Sequence, residues 1–512
     1  MIRLLRWAAL AAAAPSLWAC TSHDLEAPHP TPEVIVNVVN QETVNRDVDI
    51  LFMVDNSPSM QPLLNKLNAN FPTFIGALKD PDAGLPNVHI AVVSSDLGSG
   101  HSSNAPCVPG GQGGKFHFQP TGVCTGTGLA ADAHFISYGN GAPENFDPSV
   151  VPDLNGDGSR DIADVFTCIA NLGDRGCGFE HQLASVMRAL GADGAPPPPE
   201  NEGFLRDDAY LAVVLLTNED DCSAPPDSDL FDNPRATTAD ALGEYWSYRC
   251  NEFGHVCGSP ATKPPHTVSG PTGDLSTCHS AEDGRLLRIS SLVSQLQSLK
   301  KDPSQVLVSV IGGPVEPLFA GARYIVEPNP TPQVPGDTTA PQIRHSCVEN
   351  SGEYADPGVR LADFVTGFGS NGLFLPICAG SFAPALKQIA DLLNQHLHKK
   401  CITGNIATDA HGHPSCSVVS HNDPTCGTDG TSCVLPAWDP NHPNLCPPVS
   451  VGTAPQPGCQ PSWTLAPGDA NSCTGALVLE IGRPPGAVPS NVNQTISCVE
   501  CLPDIANQPG CP

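Results

Sequence analysis

Five short apolar runs punctuate the chain: Ile50–Val54, Val88–Val93, Leu211–Leu216, Val306–Ile311 and Leu373–Ile377. Each is β-branched or leucine-rich and lacks the alternation of a half-exposed strand. Continuous apolarity predicts strands buried on both faces of a parallel sheet. Between them the apolar spacing turns helical. Leu63, Leu64, Leu67, Phe74, Ile75 and Leu78 predict one helix, which Pro72 is expected to kink or break. Leu183, Val186, Met187 and Leu190 predict a second. A third follows from Leu286, Ile289, Leu292, Val293, Leu296 and Leu299, and a closing one from Leu386, Ile389, Leu392, Leu393 and Leu397. Such alternation predicts an α/β fold: a doubly wound, mostly parallel sheet with Rossmann-like winding and loop insertions. In such sheets the ligand crevice lies outside the carboxyl ends of the strands.

The pattern changes at both ends. Segment 399–512 carries ten cysteines, many prolines and few helical spacings, with strands expected at Leu477–Ile481 and Gln494–Cys498 around a Gly/Pro turn. A core that thin predicts a small β module stapled by disulfides. Residues 21–45 are polar and Pro-spaced, which predicts a tether. The α/β domain is then expected over 46–398, with an insertion at about 95–180.

Charge and cysteine content narrow the function classes. The 512 residues carry 24 Lys and Arg against 53 Asp and Glu, a formal charge of −29, which argues against nucleic acid as a partner. Aromatics make up 5%, too few for broad stacking surfaces. The 21 cysteines include one Cys-x-x-Cys pair, Cys498 and Cys501, so disulfides in an oxidising compartment are expected rather than a zinc ribbon.

Arg3 and Arg6 precede an apolar run from Trp7 to Trp18, the design of a secretory signal. The run ends in Leu17-Trp18-Ala19-Cys20, which resembles the lipobox of bacterial lipoproteins, although Trp18 stands where a small residue is usual. The resemblance implies cleavage after residue 19, lipidation of Cys20 and attachment to the cell envelope. Removing Cys20 leaves an even set of 20 cysteines for pairing. The uncharged Thr21 points to the outer membrane or the cell surface.

The first apolar run ends in Asp55-Asn56-Ser57-Pro58-Ser59. This Asp-x-Ser-x-Ser after a strand and before a helix resembles the metal-ion-dependent adhesion site of von Willebrand factor A domains. One carboxylate and two hydroxyls are hard oxygen donors suited to Mg²⁺ or Mn²⁺. In that family a threonine from a second loop and an aspartate from a third complete the site. Here Glu180 falls about where the threonine belongs, and Asn218 takes the aspartate's place, followed by Glu219, Asp220 and Asp221. Either Glu180 and one of those three acids, with Asp220 as the expected one, rebuild the shell around Asp55, Ser57 and Ser59, or the fold has lost its cation.

Within the insertion, Asp153, Asn155, Asp157, Ser159, Asp161 and Asp164 fall at the spacing of a twelve-residue calcium loop, with Gly158 at the sharp turn. The closing Asp resembles the dockerin version. Ca²⁺ is expected there, in an ordering role, with a helix over roughly 162–172.

No Gly-x-Ser-x-Gly, His-Glu-x-x-His or phosphate loop is present, so an enzyme is not expected. The resemblance implies a lipid-anchored envelope protein that binds a protein or matrix ligand, with an acidic residue of the partner completing the metal shell. The alternatives are an envelope-assembly scaffold with a degenerate metal site, and a secreted hydrolase.

Overall fold

A computed structural model describes residues 34–41, 46–79, 85–99, 107–119, 128–139, 144–154, 158–275, 277–397, 401–402, 405–409, 413–421, 432–467, 476–485 and 492–501. Cys124, Gly126, Gly156, Asp423 and Cys511 are described beside them. Cys20, Asn155 and Asp157 lie outside these residues.

The chain begins with β1 (Val34–Gln41), β2 (Asp47–Val54), α1 (Gln61–Leu78) and β3 (Asn87–Ser94). The insertion supplies β4 (Ile136–Tyr138) and α2 (Ile162–Ala170), followed by α3 (Gln182–Leu190) and β5 (Tyr210–Leu216). Next come α4 (Tyr248–Gly254), β6 (His255–Val256), β7 (His279–Ser280), α5 (Ile289–Gln297) and β8 (Val306–Gly312). After them lie β9 (Val326–Pro328), β10 (Pro341–Ile343), β11 (Cys347–Val348), β12 (Tyr354–Ala355), α6 (Val359–Thr366), β13 (Gly372–Pro376) and α7 (Ala383–Leu397). The C-terminal region holds β14 (Cys401–Ile402), β15 (Cys416–His421), β16 (Ser432–Leu435), β17 (Ser462–Pro467), β18 (Leu477–Gly482) and β19 (Asn493–Glu500).

Six strands form the central sheet in the order β13-β8-β5-β2-β3-β4. The five expected strands are its parallel members, and β4 adds an antiparallel edge. Alternate β2 residues feed two cores. Ile50, Phe52 and Val54 join α1, α2 and α7 on one face, and Leu51 and Met53 join α3, α5 and α6 on the other. Two covered faces explain why these strands show no polar alternation. Mixed α/β with a mostly parallel sheet and several small antiparallel sheets is therefore the architecture.

Three expectations change. Pro72 does not break α1, which runs unbroken through it. Burial of Leu67, Phe71, Phe74 and Ile75 outweighs one missing hydrogen bond. The inserted helix also joins the core: Phe166 of α2 stacks on Phe71 with ring centroids 3.5 Å apart and meets Phe52 edge-on. Residues 34–41, expected within the tether, form β1, whose Val-Ile-Val-Asn-Val-Val pattern pairs with β19 from Val34↔Glu500 to Gln41↔Asn493. Finally, β18 and β19 do not pair with each other. β18 lies between β14 and β17, while β19 lies between β1 and β15.

Disulfides link described cysteines throughout. Cys107–Cys177 and Cys124–Cys168 are nested in the insertion. Cys222–Cys250, Cys257–Cys278 and Cys347–Cys378 hold loops at the carboxyl side of the sheet. Cys416–Cys498, Cys446–Cys459 and Cys501–Cys511 staple the C-terminal region.

Candidate functional site

The crevice begins where β2 ends. The Asp55 amide donates to the Leu216 carbonyl at 3.0 Å, fixing the turn against the end of β5. The Asp55 carboxylate is fully buried. Its Oδ1 accepts the Ser57 amide at 2.8 Å and its Oδ2 accepts the Thr217 hydroxyl at 2.7 Å. Burial pushes its proton affinity above the ordinary carboxylate range, and those donors only partly offset the push. The Ser57 and Ser59 hydroxyls lie 3.2 Å apart, and Ser59 donates to Asn218 Oδ1 at 3.2 Å. Three donors expected from the motif thus share one turn.

Glu180 reaches the same place from the loop before α3. Its position is set by backbone bonds: Cys222 N donates to Glu180 O at 2.8 Å, and His181 N to Ser95 O at 2.9 Å. Cys107–Cys177 and the Gly176 amide, which donates to Asn56 O at 2.8 Å, clamp the preceding loop onto the Asp55 turn. A Cβ at Gly176 would have no room against Asn56, so glycine is required there. Glu180 is 1% exposed, and its Oε1 has no hydrogen-bond partner among the described residues. Burial, then the negative charges of Glu219 and Asp55, hold its carboxyl well above its ordinary range.

The third loop divides its acids. Glu219 faces the crevice, where burial and the charges of Asp356 and Asp55 push it up to about 8. Asp220 does not join it. Its Oδ2 takes His255 Nε2 at 2.8 Å, and its oxygens accept the Arg360 and Leu361 amides at the start of α6. Asp221 is likewise occupied, by Leu183 N, Ser223 Oγ and the Arg360 guanidinium. Both acids hold helices in place, so Glu219 is the acid that the crevice receives from this loop.

Two further contributors were not apparent in the sequence. Thr217 supplies a hydroxyl to Asp55 from the end of β5 and also accepts Gln182 Nε2 at 3.0 Å. Asp356, after the β11–β12 hairpin, donates its amide to Asn218 O at 2.9 Å and pairs through Oδ1 with His345 Nδ1 at 2.7 Å. Burial raises its carboxyl, while His345 opposes the rise. The available signal was Gly312-Gly313 after an apolar run: the Asp356 backbone passes so close to Gly313 that no Cβ fits.

The donors gathered here are all oxygens, the type a hard divalent cation takes. Asp55, Glu180 and Glu219 bring carboxylates with raised proton affinities toward the Ser57 and Ser59 hydroxyls, and one carboxylate oxygen is buried without a donor. A proton shared between Glu180 and Glu219, or a cation, would relieve these conditions. Among the described residues no group of three or more His, Cys, Asp or Glu is arranged as a ready-made metal cage.

The calcium-type loop is only partly described. Asp153 accepts the Gly156 amide at 2.7 Å and the Gly158 amide at 3.0 Å. Asp161 and Asp164 form the capping box of α2, and Asp164 Oδ1 also accepts the Leu154 amide at 2.7 Å. Ser159 is exposed in the same turn.

No protein-family model matches the chain, and no curated protein matches it. Solved structures with partial likeness include a conserved hypothetical protein, BatB, from Bacteroides thetaiotaomicron, at 11% identity and a TM-score of 0.23, covering 68% of this chain and 98% of that one. The pilus adhesin SpaC from Lactobacillus rhamnosus GG is 12% identical with a TM-score of 0.28, covering 93% of this chain and 42% of that one. The pilus adhesin RrgA from Streptococcus pneumoniae is 10% identical with a TM-score of 0.27, covering 91% and 58%. Superpositions this loose leave the functional reading to the chain's own residues. Among the described residues no helix is long and apolar enough to cross a membrane.

Proposed function

We propose that the crevice binds one divalent cation, Mg²⁺ or Mn²⁺, and that the protein is a von Willebrand factor A-like binding protein of the bacterial envelope. The observation that carries this reading is Glu180 Oε1, buried without a donor beside Asp55 and Glu219 at the Asp-x-Ser-x-Ser turn. Asp55, Ser57 and Ser59 would hold the ion, Glu180 would stand in for the family threonine, and Glu219 rather than Asp220 would supply the third loop's charge. The ion would present an open position to an oxygen donor of a protein or matrix ligand. Lipidation at Cys20 would place the crevice at the outer membrane or cell surface, and Ca²⁺ would order the loop that begins at Asp153.

Support for binding over hydrolysis comes from His345, the histidine paired with the crevice residue Asp356. His345 is engaged with Asp356 and stacked on Tyr354, with centroids 3.9 Å apart, and not hydrogen-bonded to Ser57 or Ser59. The deciding experiment is calorimetric titration of chelator-treated protein with Mg²⁺ and Mn²⁺, with Asp153→Ala in place to silence the insertion loop. One saturable site, lost in Asp55→Ala, is expected. No heat at millimolar metal would favour the scaffold reading, in which Asn218 closes the turn onto Ser59 without an ion. A pull-down from envelope extracts, with and without chelator, then tests whether ligand capture needs the ion.

A further inference from the structure

A cavity of about 640 Å³ opens on the α3 and α5 side of the domain, apart from the acidic crevice. Leu97, Met187, Phe231 and Leu292 give it apolar walls, and Ala184 of α3 and Ser291 of α5 also line it. Its size and lining lie within the range of small-molecule sites.

Its charged groups do not cancel. Arg188 pairs with Asp193 at 3.6 Å and donates to Pro196 O at 2.7 Å. Arg288, solvent-exposed just before α5, lines the same cavity and makes no side-chain hydrogen bond or ion pair among the described residues. One solvent-exposed guanidinium, free of protein partners among the described residues, therefore borders an apolar cavity, in a chain where acids outnumber bases by more than two to one. His181, also in the wall, is 4% exposed. Its Nε2 lies 2.8 Å from the Gly98 carbonyl, which fixes the proton there, and its Nδ1 finds no donor.

We propose that this cavity binds a small amphipathic anion: an apolar acyl or aromatic body seated against Met187, Phe231 and Leu292, with one carboxylate paired to Arg288. An arginine beside an apolar wall reads such a ligand in two parts. The guanidinium matches a carboxylate bidentately, and the wall desolvates the body. The proposal does not depend on the cation site, and its test is run in chelator so that the two can fail separately.

The test uses the full chain with decanoate and its uncharged counterpart decanol, by calorimetry and by displacement of anilinonaphthalene sulfonate fluorescence. One saturable decanoate site per chain is expected. Arg288→Gln should weaken decanoate at least tenfold and leave decanol within twofold. Ser291→Trp, at an exposed position of α5, should fill the cavity and abolish both without disturbing the fold. Circular dichroism melts check that each variant is folded. Absence of saturable decanoate binding by the wild type, or binding indifferent to Ser291→Trp, overturns the site. Equal loss of decanoate and decanol in Arg288→Gln overturns the anionic class.

Discussion

The Thr217 hydroxyl donates to the Asp55 carboxylate at 2.7 Å, across 162 positions of sequence. It joins the ends of two adjacent parallel strands and settles the direction in which the buried acid faces. Thr217→Val keeps the shape and removes the donor. A buried carboxylate deprived of one hydrogen bond should lower stability by about 1–3 kcal/mol. It should also weaken Mn²⁺, since an acid less inclined to ionise is a poorer ligand. Urea denaturation and metal titration of the variant check both, and wild-type values would show that the Thr217 contact orients nothing.

The acidic crevice has a pH signature with a definite sign. Glu219 is held at about 8 in the folded state against an ordinary value of 4.5, so between those values the folded protein binds more protons than the unfolded chain. In chelator, the stability that Glu219 contributes, read as wild type minus Glu219→Gln, should therefore fall as pH rises from 4.5 toward 8, while the desolvated His89, His117 and His181 act in the opposite direction in both proteins. Saturating Mn²⁺ should flatten the fall, because the ion replaces the protons. Urea melts across that range, with and without metal, measure it. A wild-type minus Glu219→Gln difference that is level or rising there contradicts the assignment.

Glu180→Gln separates charge from shape. The amide keeps the volume and brings its own donor while removing one negative charge beside Glu219 and Asp55. Without metal the variant should melt higher than wild type. With metal the order should reverse, because Mn²⁺ affinity falls by at least tenfold. Differential scanning with and without Mn²⁺ reads both arms, and the same order in both conditions counts against Glu180 as a ligand.

Calcium should raise the melting temperature of the wild type, and Asp153→Ala should remove that dependence. Asp153 also holds the Gly156 and Gly158 amides, so the variant should be less stable even in chelator. Identical wild-type melts in calcium and chelator exclude an ion in the loop.

Phe166→Ala tests whether the insertion is part of the core. Its ring packs on Phe52 and Phe71, so its loss should cost about 3–5 kcal/mol, the range for a buried aromatic, and should destabilise the whole domain in one transition. A separate early transition for the insertion would mean that α2 docks independently of the sheet.

Cys20→Ser should release the protein from membrane fractions into the soluble envelope fraction. Unchanged partitioning, measured by fractionation and immunoblotting, rules out the lipid anchor.

What could be read from the chain alone was whatever a residue's own neighbours decide. The five parallel strands were legible because burial on both faces leaves an unbroken apolar run in the sequence itself. Asp55, Ser57 and Ser59 were legible because one turn carries all three. Glu180 was placed from a loop ahead of a helical pattern, and the structure sets it at the same crevice. The rest depends on pairs far apart. Glu219 and Asp220 are adjacent carboxylates with no local difference to rank them, and only the arrival of His255 and the amides of α6 draws Asp220 away and leaves Glu219 facing Asp55. Asp356 comes from a hairpin with no motif, carried in by the fit of its backbone against Gly313. The partnership of β1 with β19 spans nearly the whole chain, and it helps draw β19 into a different sheet from β18. Apolarity and turn chemistry belong to single residues and short windows, so sequence determined which segments are strands and which turn begins the site. Which carboxylates meet there is a property of packing between distant elements, and only the tertiary structure decided it.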